Sequence, residues 1–121
     1  MKKFLLVLIA FFCVIFTAAA QESGKFQATQ DIPSLHISKG DVVYITKDRE
    51  KNFSFENVSN GTSFIAWNAG GMGGGKDGYN FAFYKIEGVR GSIKIQWAMS
   101  RKYNNFILAE VKIYDCRFVK L

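Results

Sequence analysis

The stretch SIKIQWAMS, residues 92–100, alternates apolar and polar side chains more cleanly than any other part of the chain. Its apolar residues share one face of an extended backbone: Ile93, Ile95, Trp97 and Met99. Lys94 and Gln96 take the opposite face. Because successive side chains of a strand point to opposite faces, this period of two predicts a β-strand whose apolar face lies against a core.

The same period continues on both sides of this stretch. Further candidate strands are 26–30, 34–38, 42–46, 52–58, 63–69, 79–87 and 105–121. The last is expected to be one long or bent strand, with a shared face made of Ile107, Ala109, Val111 and Ile113. Turn residues separate the segments, and helical periodicity is never sustained. The sequence therefore predicts an all-β fold, a single antiparallel β-sandwich of seven to eight strands.

Two of these segments carry apolar residues on both faces. In residues 63–69, Phe64 and Ala66 alternate with Ile65 and Trp67. Within residues 79–87, two faces also alternate: Phe81 and Phe83 on one, and Ala82, Tyr84 and Ile86 on the other.

The first twenty residues have the features of a secretory signal peptide. Lys2 and Lys3 precede the apolar run Phe4–Phe16, and Ala18-Ala19-Ala20 offers the small residues that signal peptidase requires. The run is too short for a comfortable membrane span, and Cys13 lacks the small residues that precede a lipidation site. We expect one domain, residues 21–121, that is secreted or periplasmic and has no membrane anchor.

The charge of this domain is modest. Removing Lys2 and Lys3 leaves 14 of the 16 basic residues against 10 acidic ones, a net charge of +4. The basic residues are scattered, whereas a nucleic-acid-binding surface requires a clustered stripe with interleaved aromatic residues. We therefore expect no nucleic-acid partner.

Few residues are available for catalysis. Cys116 and His36 are the only possible nucleophile–base pair in the domain, and His36 lies between Leu35 and Ile37, facing away from them. One cysteine and one histidine are too few for a zinc site. The P-loop-like segment Gly70–Asp77 has Asp77 where Ser or Thr is needed. We expect no enzyme activity, no metal and no cofactor.

Recognition is the remaining class of function, and the glycine-rich stretch 60–78 is its best candidate. This stretch, NGTSFIAWNAGGMGGGKDG, contains seven of the chain's eleven glycines. Ordering such a loop costs much backbone entropy, which favours a contact with something outside the domain. A second candidate is 100–105, SRKYNN, since Arg and Tyr often supply binding energy at interfaces.

These two segments resemble the binding loops of the chagasin-type inhibitors of papain-like cysteine proteases. The run Asn60–Trp67 is similar to the first loop motif of that family, Gly71-Met72-Gly73-Gly74 matches its GxGG motif, and Arg101-Lys102-Tyr103 resembles its RPW motif. Gly61 and Lys102 stand where the family has proline. The resemblance implies an immunoglobulin-like sandwich.

The resemblance also implies a binding site for a papain-like cysteine protease, formed by three loops at one end of the sandwich. Its residues would be Asn60, Gly61, Thr62, Ser63, Gly71, Gly73, Gly74, Gly75, Arg101, Lys102 and Tyr103. A second alignment, by length, puts the first loop at residues 48–52 instead of 60–64. We expect the inhibitor to act as a monomer.

Two other functions remain open. The domain could be a carbohydrate- or cell-surface-binding module that uses exposed aromatic residues such as Trp67, Tyr79 or Tyr103, or a purely structural envelope protein. Burial of both Trp67 and Trp97 would remove the best aromatic platforms for a sugar.

Overall fold

The computed structural model describes residues 23–75, 78–102 and 105–121, with residues 102, 105 and 106 described for the backbone alone. Within these residues the chain forms eight strands: β1 Ser23–Ala28, β2 Val42–Lys47, β3 Phe53–Asn57, β4 Thr62–Gly74, β5 Asn80–Ile86, β6 Ile93–Lys102, β7 Asn105–Ile113 and β8 Cys116–Lys120. In the described part of the chain, no helix has the length and hydropathy that a membrane span requires.

Each strand pairs antiparallel with the next, and β8 pairs with β1, so that the sheet closes into a barrel. The closing register joins Phe26 to Lys120 and Ala28 to Phe118. The all-β, antiparallel prediction is confirmed, whereas the two-sheet, immunoglobulin-like sandwich is not. An inward–outward alternation suits a barrel as well as a sandwich, and the pairing of β1 with β8 decides between them.

The barrel interior is filled by side chains, with aromatic rings at its centre. Phe53 packs edge-on against Tyr84 and Trp97, with ring centroids 5.5 Å and 5.4 Å away. Phe55 stacks on Phe64 at 4.6 Å. Since these rings occupy the interior, the barrel encloses a packed hydrophobic core.

Residues 34–38, predicted as a strand, form a different structure. Pro33–Leu35 is one turn of 3-10 helix, and Ile32 and Ile37 make an isolated bridge around it. Proline has no N–H to pair in a sheet but suits the first turn of a helix. Leu35 and Ile37 are both buried in the core, and His36 between them is exposed, as predicted.

The segment 105–121 is two strands rather than one. Tyr114 and Asp115 form the turn between β7 and β8. A register shift pairs Ala98 with Glu110 and Met99 with Leu108, leaving Ala109 as an extra residue in β7. The bulge reverses the alternation, so that Leu108 is fully buried and the predicted inward residues Ile107 and Ala109 are only partly buried.

The antiparallel order sorts the connections between two ends of the barrel. The hairpin end, as we name it, carries the β2–β3 and β4–β5 connections, and β6 ends and β7 begins there. The cap end carries the β1–β2, β3–β4, β5–β6 and β7–β8 connections.

A hydrogen-bonded asparagine holds the cap end together. Asn57 is only 2% exposed. Its amide nitrogen donates to the carbonyl oxygen of His36 at 3.1 Å and to Asp41 Oδ2 at 2.8 Å, and its amide oxygen accepts from the backbone N–H of Ser59 at 3.0 Å. One side chain thus links the β1–β2 connection to the β3–β4 turn.

Replacing Asn57 by Ala should lower the free energy of unfolding by about 2–3 kcal/mol, because three part-buried hydrogen bonds are lost at once. Urea denaturation measures this change. Val58→Ala is the matched control, since Val58 is the exposed neighbour, and its effect should stay within about 0.5 kcal/mol. Equal stability of both variants would contradict a structural role for the Asn57 amide.

Candidate ligand-binding face

The two tryptophans of the domain have opposite environments. Trp97 points into the barrel and is 3% exposed, whereas Trp67 points outward from β4 and is 55% exposed. The neighbouring residue Ala66 is fully buried and pairs with Phe53 of β3. The small side chain of Ala66 takes the inward position and leaves room for the Phe53 ring. The larger indole of Trp67, the next residue, therefore lies on the outside.

Two shallow grooves flank Trp67. The first, of about 500 Å³, is lined by Ser54, Ser63, Phe64, Ile65, Trp67 and Glu87. The second, of about 390 Å³, is lined by Trp67, Lys85, Ile86, Glu87, Val89 and Gly91. Trp67 and Glu87 thus border both grooves, and hydroxyl, carboxylate and ammonium groups surround an exposed indole.

The aromatic surface continues along β5 towards the hairpin end. Ala82, Tyr84 and Ile86 form the inward face of β5, and Phe81 and Phe83 form its outward face together with Lys85. Phe83 is 39% exposed, and its ring packs edge-on against Phe81 with centroids 6.3 Å apart.

The glycines of β4 make room for these two rings. A Cβ added to Gly71 would lie 2.6 Å from Phe83 Cδ2, and one added to Gly73 would lie 2.7 Å from Phe81 Cζ. Two register shifts between β4 and β5, at Asn68/Gly70 and Gly70/Gly73, accompany this packing. The predicted GxGG motif therefore serves the packing of the chain's own aromatic side chains.

The predicted first loop, Asn60–Ser63, lies at the cap end. Asn60 donates from its amide nitrogen to the carbonyl oxygen of His36 at 2.8 Å, and its amide oxygen accepts from the hydroxyl of Thr62 at 2.6 Å. The loop is thus tied to the barrel by its own polar groups. Gly73–Gly75 and Arg101 lie at the hairpin end, so the predicted convergence of all three segments is wrong.

The alternative first loop, residues 48–52, does lie at the hairpin end. Its turn is closed by Asp48, whose carboxylate accepts from the backbone N–H and the amide of Asn52 at 2.9 and 3.2 Å. Lys51 Nζ donates to Met72 Sδ at 2.9 Å, which joins this turn to the glycine-rich part of β4. Of the predicted third loop, Arg101 is exposed and the backbone of Lys102 pairs with β7; Tyr103 lies outside the described residues.

Cys116, considered above as a nucleophile, and the buried Tyr84 both lie in structural surroundings. Cys116 is buried, and its thiol donates to the carbonyl oxygen of Gln30 at 3.5 Å. Burial raises the pKa of Tyr84, with the Asp48 carboxylate adding to the effect, and its hydroxyl donates to the carbonyl oxygen of Lys51 at 2.7 Å. Across the described ranges, no three His, Cys, Asp or Glu side chains are grouped to hold a metal ion.

One acidic group on the outer surface has a shifted pKa. The hydrogen bond from Arg117 lowers the pKa of Glu110, and a hydrogen bond from the Tyr79 hydroxyl, at 2.6 Å, acts in the same direction. Tyr79 precedes β5, so this contact attaches the start of that strand to β7. We therefore assign Tyr79 a structural contact here, which leaves Trp67 as the best exposed platform among the described residues.

Comparisons of the chain with family models, with curated proteins and with solved structures find no match.

Sequence reasoning named Trp67 as a candidate but missed its neighbours Glu87, Lys85, Ser54 and Phe83. The alternation of residues 79–87 placed Phe83 and Lys85 on one face, but both faces were apolar enough to be the inner one. Ser54 belongs to another strand, and only the β3–β4 register, which pairs Ser54 with Ile65, puts it beside Trp67.

Gly73→Ala should destabilise the fold by about 1–3 kcal/mol, because the added methyl group must displace the Phe81 ring. Gly74→Ala is the matched control, since a Cβ there meets nothing within 4 Å; it should be neutral or slightly stabilising. Urea denaturation of both variants provides the test. A neutral Gly73→Ala would show that the ring is not held against this glycine.

Proposed function

We propose that the protein is a noncatalytic, secreted or periplasmic module that binds carbohydrate on the face around Trp67. The observation that carries the proposal is the exposure of Trp67 on a strand of a closed barrel. An exposed tryptophan contributes a large apolar area that water solvates poorly, and such surfaces commonly mark binding sites.

The position of Trp67 within a strand supports its use as a rigid platform. Its backbone is fixed on one side by β5, through pairing with Lys85, and the preceding Ala66 is paired with β3. Because this surface is already ordered, little conformational entropy is lost when a ligand binds. The face of a sugar ring that carries C–H groups would pack against the indole.

The polar groups around Trp67 can form hydrogen bonds with the hydroxyl groups of a sugar. Ser54 and Ser63 offer hydroxyl groups, Glu87 offers a carboxylate that accepts hydrogen bonds, and Lys85 offers a donor. A few polar groups around an apolar surface are what fixes the orientation of a small ligand. The hydroxyl groups of a sugar in either groove would find both hydrogen-bond donors and hydrogen-bond acceptors.

Replacing Trp67 by Ala should weaken carbohydrate binding about thirtyfold, or about 2 kcal/mol, the loss typical of a central aromatic anchor. Affinity electrophoresis against a panel of neutral and acidic polysaccharides identifies the ligand. Emission of Trp67 should shift on binding, since Trp97 is buried.

Tyr114→Ala is the matched control, because Tyr114 is also exposed but lies in the β7–β8 turn at the cap end. Its binding should equal that of the unchanged protein. Binding that survives loss of Trp67, or no binding to any polysaccharide of the panel, would refute the proposal.

A second candidate function is inhibition of a papain-like cysteine protease by the hairpin end. It is supported by the shared location of the turn 48–52, the glycines around Gly75 and Arg101, together with the resemblance of two of these segments to the chagasin-type motifs. In this version residues 48–52 replace Asn60–Ser63 as the first contact, and the inhibitor acts as a monomer.

If the hairpin end inhibits papain, Arg101→Ala should raise the inhibition constant at least about fivefold, as for an interface arginine. Ser63→Ala, at the cap end, should leave the constant unchanged. Steady-state inhibition of papain and related proteases measures both. A complete lack of inhibition, or equal losses in the two variants, would reject this candidate.

A further inference from the structure

Lysine residues lie opposite both exposed aromatic residues of the candidate face. Trp67 of β4 pairs across the sheet with Lys85 of β5, and Phe83 of β5 pairs with Lys94 of β6. All four side chains point outward. Directly opposite residues on one face of a sheet are close neighbours, so each of the two aromatic side chains has a lysine side chain as its neighbour on the next strand.

These lysines have no carboxylate partner within the described residues. The ion pair between Arg117 and Glu110 lies on other strands. Lys94 Nζ lies 4.8 Å from the centroid of Phe81, over the ring, an interaction that leaves its positive charge uncompensated. The two ammonium groups are therefore available to an external anion.

The acidic residues of this face lie on the cap-end side of Trp67. Glu87 follows β5 at that end, and Glu56 is paired with Ser63 near the start of β4. Lys85 is level with Trp67, and Lys94 lies further towards the hairpin end. On strands β3 to β6 themselves, Glu56 lies towards the cap end and Lys85 and Lys94 lie further towards the hairpin end, level with Trp67 and Phe83.

We propose that the carbohydrate is an acidic one, a glycan whose sugar rings carry carboxylate or sulfate groups; this rests on the proposed carbohydrate function. One sugar ring packs on Trp67 with its anionic group at Lys85, and the chain continues towards Phe83 and Lys94. Two residues along a strand span about 6.6 Å, so the two aromatic–lysine pairs form successive contacts for a linear polymer.

An acidic peptide would also meet the lysines, but the pairing of lysines with aromatic residues favours a glycan. Each lysine is the cross-strand neighbour of an exposed aromatic residue, and such a pair matches a sugar unit that has an apolar face and an anionic edge. A ligand recognised by charge alone would not require Trp67. The aromatic contribution therefore separates the two classes of ligand.

The test compares polygalacturonate with its methyl ester, which has the same backbone without the charges, and adds alginate and heparin as further acidic polymers. The free acid or another acidic polymer should bind at least about tenfold more tightly than the ester, and raising the salt from about 20 to about 200 mM should weaken that binding. Binding is measured by affinity electrophoresis and by the emission of Trp67.

Lys85→Gln and Lys94→Gln should each weaken binding of the acidic polymer about fivefold at low salt, which corresponds to about 1 kcal/mol. Lys39→Gln is the matched control, because it removes the same charge from the exposed β1–β2 connection at the cap end. Its binding should not change.

The outcomes separate this inference from the function on which it rests. Equal binding of acid and ester, or unchanged binding by both lysine variants, would leave the carbohydrate function intact and overturn the acidic class. The acidic class would also be overturned, and the carbohydrate function kept, if a neutral polymer binds through Trp67 and no acidic polymer binds. Tight binding of polyglutamate that does not depend on Trp67 would favour an acidic protein and overturn the inference.

Discussion

The pairing of β1 with β8 is the constraint on which the rest of the structure depends. It joins residues 26–28 to residues 118–120, almost the full length of the described chain apart. Bringing such distant segments together costs loop entropy, which the enclosed core must offset. Phe26 and Phe118 are fully buried next to this seam, so the same strands that close the sheet also contribute to the core. Once the sheet is closed, every strand has one inner face, and the outer residues are fixed by the register of their neighbours.

The sequence was sufficient to predict strands where the two faces differ in chemistry. In β6 the predicted inward residues Ile93, Ile95 and Trp97 are buried, because Lys94 and Gln96 could not occupy the interior without losing their hydration. In β5 the choice was between two apolar faces, and alternation has no means to decide it. The choice depends on volume: Ala66 and Ala82 lie inside with the large rings of Phe53, Tyr84 and Trp97. The packing of these small and large side chains involves four strands, so the alternation within one strand does not predict it.

The candidate site was predictable in its residue types and less so in its arrangement. Trp67 was a candidate from the start. The glycine-rich segment was expected to be a loop with a partner outside the domain, whereas Gly71 and Gly73 lie within β4. The partner is internal, since the rings of Phe81 and Phe83 lie against Gly73 and Gly71. In the Asn60–Ser63 motif, polar side chains suggested a binding loop. The amide of Asn60 instead makes its hydrogen bonds within the chain, to His36 and Thr62 at the cap end. Short polar motifs do not reveal whether their hydrogen bonds are made within the chain or with a partner.

The unequal lengths of β3 and β4 have a consequence for self-association. Within the described residues, β3 pairs with β4 only from Thr62 to Ala66, and β4 continues to Gly74. An unpaired strand margin of this kind normally invites a second chain to add a strand, which is the first step of amyloid-like aggregation. Here the margin is irregular: Asn52 Oδ1 accepts from the N–H of Asn68, and Gly70 and Gly71 have φ values of 102° and 73°. A strand from another molecule would not find the regular spacing of donors and acceptors that it needs, so the glycines that receive the aromatic rings also make this margin a poor template for strand addition.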